Sequence, residues 1–442
     1  MKKIFSTTLL SAAALAFTGC AGEEDDIFSS SAANRLDQSK VTYTERLKSA
    51  ADGWAMEYYP TKGVEGVQGK GYLLLMKFND DESVRMAMKN EFSGGAYLED
   101  ESAWQVIADN GPVLTFNTYN DCIHAFCDPK ETPSLGLETG RGGEGDYEFV
   151  IIDLADGAAS AMLKGKKRGT YDRLTRLEEG VDFRQYIEDV QAFGDRMFSA
   201  SAPNECVVTL GDSVMSMADA STGIPNIYPY GGDPILQESY HPYLITKRGG
   251  KYYMRFRDEM NAPDGTAAQE FVYDEGQDMF TGVDHPEFTI EGEEPAKFFM
   301  MAMEDGNTWR LSRTSDMSDD MKAKYEAVRT GFTSLRYTMN YIYWTLDEGQ
   351  LMCVINLRTN RNATVNASYK FSMTPIDGGY TLSYDGPADT AASTIFSSVP
   401  AISNLFAEFT ADFAVNAATT KFNLSNITFS TGETKWFTIT RY

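Results

Sequence analysis

The chain has 442 residues and a formal net charge of −25. This charge argues against nucleic acid or an anionic membrane surface as a partner, because neither offers positive charge to meet it. A content of 42% hydrophobic and 12% aromatic residues excludes a disordered chain, and five cysteines are too few for a disulfide-built fold. A chain of this length is expected to form two or three domains.

The first residues have the layout of a secretory signal peptide. Two lysines precede an uncharged, mostly apolar run from residue 4 to residue 17, which is too short to span a bilayer as a helix. Thr18 and Gly19 then lead to Cys20, and this order resembles the bacterial lipobox, in which the cysteine is acylated and becomes the first residue. We predict a signal peptide over residues 1–19, a palmitate-type anchor on Cys20 and a spacer over residues 20–32. An ordinary signal peptide with a chance cysteine is the alternative.

Four carboxylates follow within six residues of that cysteine, from Glu23 to Asp26. The run resembles the export signal by which Bacteroidetes lipoproteins reach the cell surface. Its other interpretation is a solvated spacer, because charge runs usually face water. We therefore expect a lipid-anchored protein of the outer membrane that faces the cell exterior, and the membrane as a partner through the lipid.

The next segment predicts a helix followed by a series of strands. Residues 33–51 have helical spacing, with Leu36 and Val41 predicted to be buried and Leu47 near the end. Six short segments rich in aromatic and β-branched residues follow, namely GWAMEYY, GYLLLMKF, SVRMAMKN, AWQVIA, PVLTFN and YEFVII. The turn sequence ADNG between the fourth and fifth predicts a hairpin, because Asn and Gly accept positive φ.

Two further sections repeat this order. Asp182–Phe198 predicts an amphipathic helix, and the strand candidates after it are CVVTL, PYLITK, KYYMRFR, KFFMMAM and TWRLSR. A third helix begins at Ser318, and the segments TMNYIYWTL, LMCVINL, ASYKFSM, GYTLSY and KWFTITRY follow it as strands. AISNLFAEF predicts one more helix, which buries Ile402, Leu405, Phe406 and Phe409.

These patterns predict a β-rich α+β fold of antiparallel meanders, each preceded by an amphipathic helix. A parallel sheet is disfavoured because helices do not alternate with the strands. The predicted division is an N-terminal β-rich domain over residues 33–180, a middle section over residues 181–316 and a C-terminal section over residues 317–442.

The N-terminal part also resembles a known family. The segments SSAANRL, GWAMEYYP, LLLMKF, GPVLTFNTYN, GDYEFVI and LKGKKRG are similar to those of an uncharacterised family of Bacteroidetes lipoproteins, a domain of unknown function. The similarity covers about residues 20–180. Members are often encoded beside outer-membrane nutrient-uptake systems, so the resemblance implies an accessory role at the surface. It supplies no catalytic residues.

Two motifs of known enzymes occur without their usual context. GRGGEG, from Gly140 to Gly145, fits the dinucleotide-binding pattern, but a strand follows it where a helix is required. Gly211, Asp212 and Ser213 resemble the nucleophile block of GDSL-type hydrolases, but the sequence lacks the Asp-x-x-His partner near its end. We name no catalytic residue, and a cofactor is not expected.

CIHAFC brings Cys122, His124 and Cys127 within six residues. All three are ligand types for zinc or copper, and on a continuous strand the first two would share one face. The spacing fits no established zinc pattern, so structural thiols or a disulfide are the competing interpretation. The pairing of these cysteines and of Cys206 and Cys353 stays open.

Two loop regions are candidates for ligand binding. The basic cluster comprises Lys164, Lys166, Lys167 and Arg168, which could attract a phosphate, sulfate or uronic acid group or form a solvated hairpin. The aromatic group comprises Tyr228, Tyr230, Tyr240 and Tyr243, which could stack on sugar rings or pack on a neighbouring sheet. If the two regions cooperate, the ligand is an acidic polysaccharide.

The expected function is that of a surface lipoprotein, a non-catalytic binding accessory to an outer-membrane nutrient-uptake system. Its partners would be a transporter in that membrane and a glycan or other nutrient. A hydrolase on the exported side of the membrane is the alternative, and a structural or adhesive surface protein is the third possibility.

Overall fold

The computed structural model describes residues 32–109, 111–129, 135–137, 140–198 and 206–442. The predicted signal peptide, Cys20 and the acidic run lie outside the described residues. The described chain forms three eight-stranded sheets, in which hydrogen-bonded neighbours are antiparallel. The predicted β-rich α+β class with antiparallel meanders is confirmed.

The first sheet is a closed barrel, because its last strand pairs with its first. Its strands are β1 Trp54–Tyr58, β2 Tyr72–Phe78, β3 Ser83–Met88, β4 Leu98–Ala108, β5 Pro112–Phe116, β6 Glu148–Asp153, β7 Ser160–Gly165 and β8 Tyr171–Arg176. Helix α1 covers Ala32–Lys48, and the single turn α2 covers Asp121–His124. The predicted hairpin joins β4 to β5. Alternate side chains of the strands fill the barrel, as the period of two requires.

The middle sheet follows helix α3, which covers Phe183–Met197 and begins at the capping side chain of Asp182. Its strands are β9 Cys206–Leu210, β10 Ser213–Ala218, β11 Asn226–Pro229, β12 Tyr243–Arg248, β13 Lys251–Asn261, β14 Ala267–Asp274, β15 Met279–Gly282 and β16 Thr289–Gly292. The first and last of these strands pair.

A weak seam between β11 and β12 completes the circuit of the middle sheet. Ile227 N donates to Ser239 O at 2.8 Å, and Tyr243 N donates to Gly223 O at 3.1 Å. An isolated antiparallel bridge joins Asn226 to Tyr240 between these bonds. All three sheets therefore run up and down in chain order around a core, although the middle one closes by a few backbone hydrogen bonds, which also include His241 N to Pro225 O at 2.9 Å.

The third sheet is again a closed barrel, with its helices packed into its core. Its strands are β17 Trp309–Leu311, β18 Tyr337–Asp347, β19 Gln350–Thr359, β20 Thr364–Ile376, β21 Gly379–Pro387, β22 Ala411–Ala417, β23 Asn426–Ser430 and β24 Trp436–Arg441. Its helices are α4 Pro295–Glu304, α5 Asp319–Ser334, α6 Thr390–Ser398 and α7 Ala401–Phe409. The structure places β17 in this barrel, which therefore begins before the predicted boundary at residue 317. Within the described ranges, no helix is long and apolar enough to cross a membrane.

Two local predictions were wrong. KFFMMAM forms helix α4 and not a strand, because Pro295 at its first position favours a helix and its buried residues recur at helical spacing. Val41 is 66% exposed, because it lies five positions after Leu36 and so falls on another face of α1. Tyr43 and Leu47, seven and eleven positions after Leu36, pack against the barrel core instead.

A layer of buried charge joins the first barrel to the middle sheet. Glu57, on the outer face of β1, is fully buried, and its carboxylate pairs with Arg255 of β13 at 2.9 Å. Arg173 of β8 lies 4.0 Å from the same carboxylate and 2.9 Å from Glu270 of β14. Arg248 of β12 completes the set, 2.8 Å from Glu270. Each carboxylate therefore faces one guanidinium group across the interface and one on its own sheet.

The electrostatics of the two carboxylates differ. Burial raises the pKa of Glu57, and Arg255 and Arg173 oppose that rise. Burial acts in the same direction on Glu270, but hydrogen bonding to Arg248 and the charge of Arg173 hold the pKa of Glu270 below its ordinary value. A buried ion that loses its partner is costly, so the layer fixes how the two sheets meet.

The third barrel docks on the middle sheet through its loop between β22 and β23. Phe422 is fully buried in the core of the middle sheet, where it contacts the ring of Tyr273 edge-on. The carboxylate of Asp278 accepts hydrogen bonds from Thr420 Oγ1 at 2.6 Å and from Lys421 N at 2.7 Å. An apolar anchor and a carboxylate clamp thus hold this second interface.

We expect Arg255→Ala to lower the free energy of unfolding by about 3–5 kcal/mol, because it leaves Glu57 buried beside a single distant cation. Urea unfolding of the full chain measures this change. Arg313→Ala is the control, since the Arg313 side chain is 70% exposed and its pair with Glu326 is worth less than about 1 kcal/mol. Equal losses in the two variants would contradict the assignment.

Candidate functional site

A cleft of about 410 Å³ lies at the end of the first barrel that carries the β7–β8 turn. The loop before β6 forms one wall, and the turn forms the other. Three of the four predicted basic residues, Lys166, Lys167 and Arg168, line it. Arg141 and Glu144 line it too, and they also line a second cavity of about 420 Å³. The two cavities are therefore neighbours that share these two side chains.

The carboxylate of Asp146 fixes the shape of the basic turn. Its two oxygens accept hydrogen bonds from Lys167 N at 3.0 Å and from Arg168 N at 2.7 Å. Gly165 is required beneath it, because a Cβ there would clash with the same carboxylate. The backbone of the turn is thus held by a side chain from the opposite wall, and its cations project from a defined frame.

Most cations of the cleft are already paired with carboxylates. Lys166 Nζ lies 2.7 Å from Asp109 and 3.1 Å from Glu148, and Arg168 lies 3.7 Å from Glu144. Lys164 stands over the ring of Tyr171 at 5.3 Å, outside the cleft lining.

Lys167 is the exception among these cations. No carboxylate of the described residues lies within 4 Å of its ammonium group. Arg168 Nε is also buried and has no hydrogen-bond partner in the same part of the chain. The ammonium group of Lys167 therefore remains available to an anionic ligand, whereas Arg168 Nε is too buried for a ligand to reach.

Burial has the largest effect on the pKa values of the two acids beneath the turn, Asp172 and Asp146. Asp172 is fully buried inside the barrel, where one oxygen accepts Tyr59 N at 2.8 Å and the other has no partner within the described residues. Burial holds the pKa of Asp172 well above its ordinary value of 3.8. Burial also raises the pKa of Asp146, although the amides of Arg168 and Lys167 act in the other direction.

The predicted metal ligands Cys122, His124 and Cys127 are not brought together. Cys122 and His124 lie in the helical turn α2 and not on a strand, so two residues of separation place them on different faces. His124 stacks between Tyr119 and Tyr147. Among the described residues, no group of three or more His, Cys, Asp or Glu side chains is arranged to hold a metal ion.

The cysteine beside the cleft is a poor nucleophile. Burial raises the pKa of Cys127 to about 12, so the thiol is protonated at neutral pH. Burial likewise raises the pKa of Cys122 to about 12. Cys122, Cys127 and Cys353 are thiols and form no disulfide within the described residues.

The predicted aromatic group is divided by burial. Tyr228 and Tyr243 are buried in the middle sheet, and the Tyr243 hydroxyl donates to Ala220 O at 2.8 Å. Tyr230 and Tyr240 are 45% and 41% exposed. None of the four lines the cleft, so the structure does not bring the predicted basic and aromatic residues into one site.

The aromatic residue in the cleft lining is Tyr147, which sequence reasoning missed together with Arg141, Glu144 and Asp146. Arg141 and Glu144 lie within the glycine motif GRGGEG, whose sequence indicates a loop before a strand but gives no signal of a binding site. In the structure it forms a wall of the cleft and leads into β6. Ser213 of the hydrolase-like motif lies at the β9–β10 hairpin, opposite Leu210.

The fold and the cleft define a β-rich protein of three eight-stranded sheets with a polar groove on its first barrel. The chain belongs to the DUF4302 family, a domain of unknown function, whose model matches residues 24–275. The match includes the first barrel with its cleft, the buried charge layer and the middle sheet as far as the end of β14. No curated protein matches the chain.

Two solved structures are similar to the chain only weakly. One is a DNA polymerase III subunit β sliding clamp from Bartonella birtlesii, with 8% identity, a TM-score of 0.13, and coverage of 91% of this chain and 98% of the clamp. The other is a putative DNA polymerase III β subunit from Eubacterium rectale, with 10% identity, a TM-score of 0.12, and coverage of 91% and 97%. Neither similarity supports an inference about fold or function.

We expect Asp172→Asn to gain stability relative to wild type as the pH rises above 3.8. In that range the unfolded chain releases the proton of Asp172 while the folded chain retains it, so wild type loses about 1.4 kcal/mol per pH unit up to the folded pKa. Asparagine does not titrate and escapes this loss. Urea unfolding of both proteins at pH 4, 5 and 6 measures the difference. A difference that stays constant with pH would contradict a raised pKa.

Proposed function

We propose that the protein is a lipid-anchored binding protein of the cell surface, and that its cleft captures an acidic glycan. The observation that carries the proposal is the ammonium group of Lys167, which no carboxylate of the described residues approaches within 4 Å, in a cleft that Arg168 and Arg141 also line. A ligand with a carboxylate or sulfate on each sugar would pair with these cations. The two neighbouring cavities, of about 410 and 420 Å³, share Arg141 and Glu144, which favours an extended ligand over a single sugar.

The remaining groups of the cleft suit the rest of a sugar. Carboxylates of Glu144, Asp146 and Glu148 line the walls, and they accept hydrogen bonds from ring hydroxyl groups. Tyr147 is 43% exposed at the edge of the cleft, where a tyrosine ring can stack on the apolar face of a sugar. A ligand that carries both hydroxyl groups and negative charge therefore fits better than a plain anion, which the wall carboxylates would repel.

The proposed location rests on the N-terminal sequence. A cysteine after a short apolar run and two small residues supports acylation at Cys20, and the acidic run after it supports export to the outer face of an outer membrane. Attachment by lipid would leave the three sheets in water, with the cleft open to glycans outside the cell. We also propose that the protein belongs to a group of Bacteroidetes lipoproteins and that it cooperates with a nutrient-uptake transporter.

A catalytic role has less support. Ser213 lies on a tight hairpin of an antiparallel sheet, whereas the hydrolases with that motif place the serine between a strand and a helix. Cys127 is protonated at neutral pH because of its burial. Binding without chemistry is therefore the function that the cleft supports best.

We expect Lys167→Ala to raise the Kd for an oligogalacturonate about tenfold or more, because a hydrogen bond to a charged group contributes about 1.5–3 kcal/mol. Isothermal titration of the full chain measures the Kd. Lys322→Ala, which removes an exposed lysine of the third barrel, is the matched control and should bind as wild type does.

The methyl-esterified form of the same oligomer tests the role of charge, and its binding should be weak in all three proteins. Added salt should weaken the binding of the acidic oligomer, since exposed charges are screened over about 8 Å at physiological ionic strength. Equal Kd values for wild type and Lys167→Ala, or no binding by wild type, would refute the glycan site.

We expect Cys20→Ala to abolish incorporation of labelled palmitate and to release the protein from the membrane fraction, because Cys20 would be the acylated residue. Cys127→Ala is the control, since its thiol lies in the folded chain and should not affect labelling. Fractionation and labelling of cells that express each variant measure both effects. Label retained by Cys20→Ala would show that the lipobox assignment is wrong.

A further inference from the structure

The loop between β11 and β12 exposes two adjacent large apolar side chains. Ile235 and Leu236 are each 79% exposed, the largest values among the large apolar residues that the structure describes. Tyr230 and Tyr240, at 45% and 41%, flank them along the chain. Single exposed apolar residues are common on protein surfaces, but a contiguous group of them marks an interaction site. We call residues 230–240 the apolar loop.

Hydrogen bonds hold the apolar loop in one conformation. The buried side chain of Asn226 donates from Nδ2 to Pro234 O at 3.0 Å and accepts Ser239 N at 2.7 Å through Oδ1. It thereby holds both ends of the segment that carries the apolar pair. Asp233 accepts Ile235 N at 2.9 Å, which orders the approach to the tip. The tip is therefore preorganised, and binding through it would require little further ordering.

Negative charge surrounds the apolar tip. Asp233 and Glu238 flank it in sequence, and Glu238 and Asp219 raise the pKa of the Tyr240 hydroxyl by their charge. The nearby cation is Lys297, which bonds to the hydroxyl of Tyr230 and pairs with Glu293 at 2.8 Å. Burial lowers the pKa of His241, so its ring is uncharged at neutral pH. The carboxylates therefore outweigh the cations around the tip.

We propose that the apolar loop docks into a partner protein that presents an apolar pocket with lysine or arginine side chains on its rim. Ile235 and Leu236 enter the pocket, and Asp233 and Glu238 meet the basic rim. The charges fit this partner better than the other occupants. An anionic lipid surface would repel Asp233 and Glu238, and a second copy of this chain carries the same net charge of −25.

The test places the photo-crosslinking residue benzoylphenylalanine at Leu236 in the full chain, in the cells that make the protein. Ile376 of the third barrel, which is 41% exposed, takes the same crosslinker as the matched control. We expect one protein adduct from position 236 and none from position 376. Asp233→Lys with Glu238→Lys should lower the adduct yield at least tenfold. Asp377→Lys with Glu433→Lys, on exposed turns of the third barrel, should leave it unchanged.

Purified partner then provides the second measurement. Ile235→Ala with Leu236→Ala, in the chain without the crosslinker, should raise the Kd for that partner at least tenfold. Lys167→Ala should leave this Kd unchanged, because the contact does not involve the cleft, so failure of the glycan site and failure of this contact are distinguishable.

Four outcomes would overturn the proposal. Equal adduct yields at positions 236 and 376 would show that the apolar loop makes no specific contact. A yield that the charge reversal does not change would show that the partner has no complementary basic rim. An adduct with the mass of a lipid would identify a membrane contact instead. An adduct of twice the mass of the chain would identify self-association.

Discussion

The pair between Glu57 and Arg255 is the contact on which the arrangement of the first two sheets depends. A fully buried carboxylate is tolerated only when a cation and hydrogen bonds compensate for lost water. Glu57 has that compensation only while the outer face of the first barrel stays against β13 of the middle sheet. The same burial explains why β1 is buried on both faces, although a strand of a solvent-exposed barrel would alternate. The two sheets thus form one unit, and the cleft and the apolar loop are both attached to it.

Much of the local structure could be predicted from the sequence. The side-chain period identified α3 and α7 with their buried faces, and turn residues identified the β4–β5 hairpin. Closure into barrels could not be predicted, because the strand pairs that close them, such as Trp54 with Arg176, join residues far apart in the chain. KFFMMAM was misassigned because a short apolar run has no period that separates a buried strand from a buried helix.

The candidate site was predictable only in part. A charge run identified Lys166, Lys167 and Arg168, but which of them is unpaired depends on Asp109, Glu144 and Glu148, which lie in other loops. Asp146 holds the basic turn through the backbone amides of Lys167 and Arg168, which lie about twenty positions later in the chain, so this role could not be predicted from the neighbouring sequence. For the tyrosines, the strand period of two would place Tyr228 and Tyr230 on the same face, because they are two positions apart. β11 ends at Pro229, so Tyr230 lies in the loop after it, and this end of the strand could not be predicted from the period. The burial of Tyr243 could not be predicted, because it depends on contacts with another part of the fold, such as the carbonyl of Ala220.

Residue-resolved hydrogen exchange of wild type and Arg255→Ala tests most directly whether the charge layer makes the first two sheets one unit. We predict that amides of β1 and β8 lose protection together with those of β13 and β14, while amides of β18 to β20 keep theirs, because the third barrel docks elsewhere through Phe422. Loss of protection confined to β13, with the first barrel unchanged, would show that the two sheets open independently and would contradict the account.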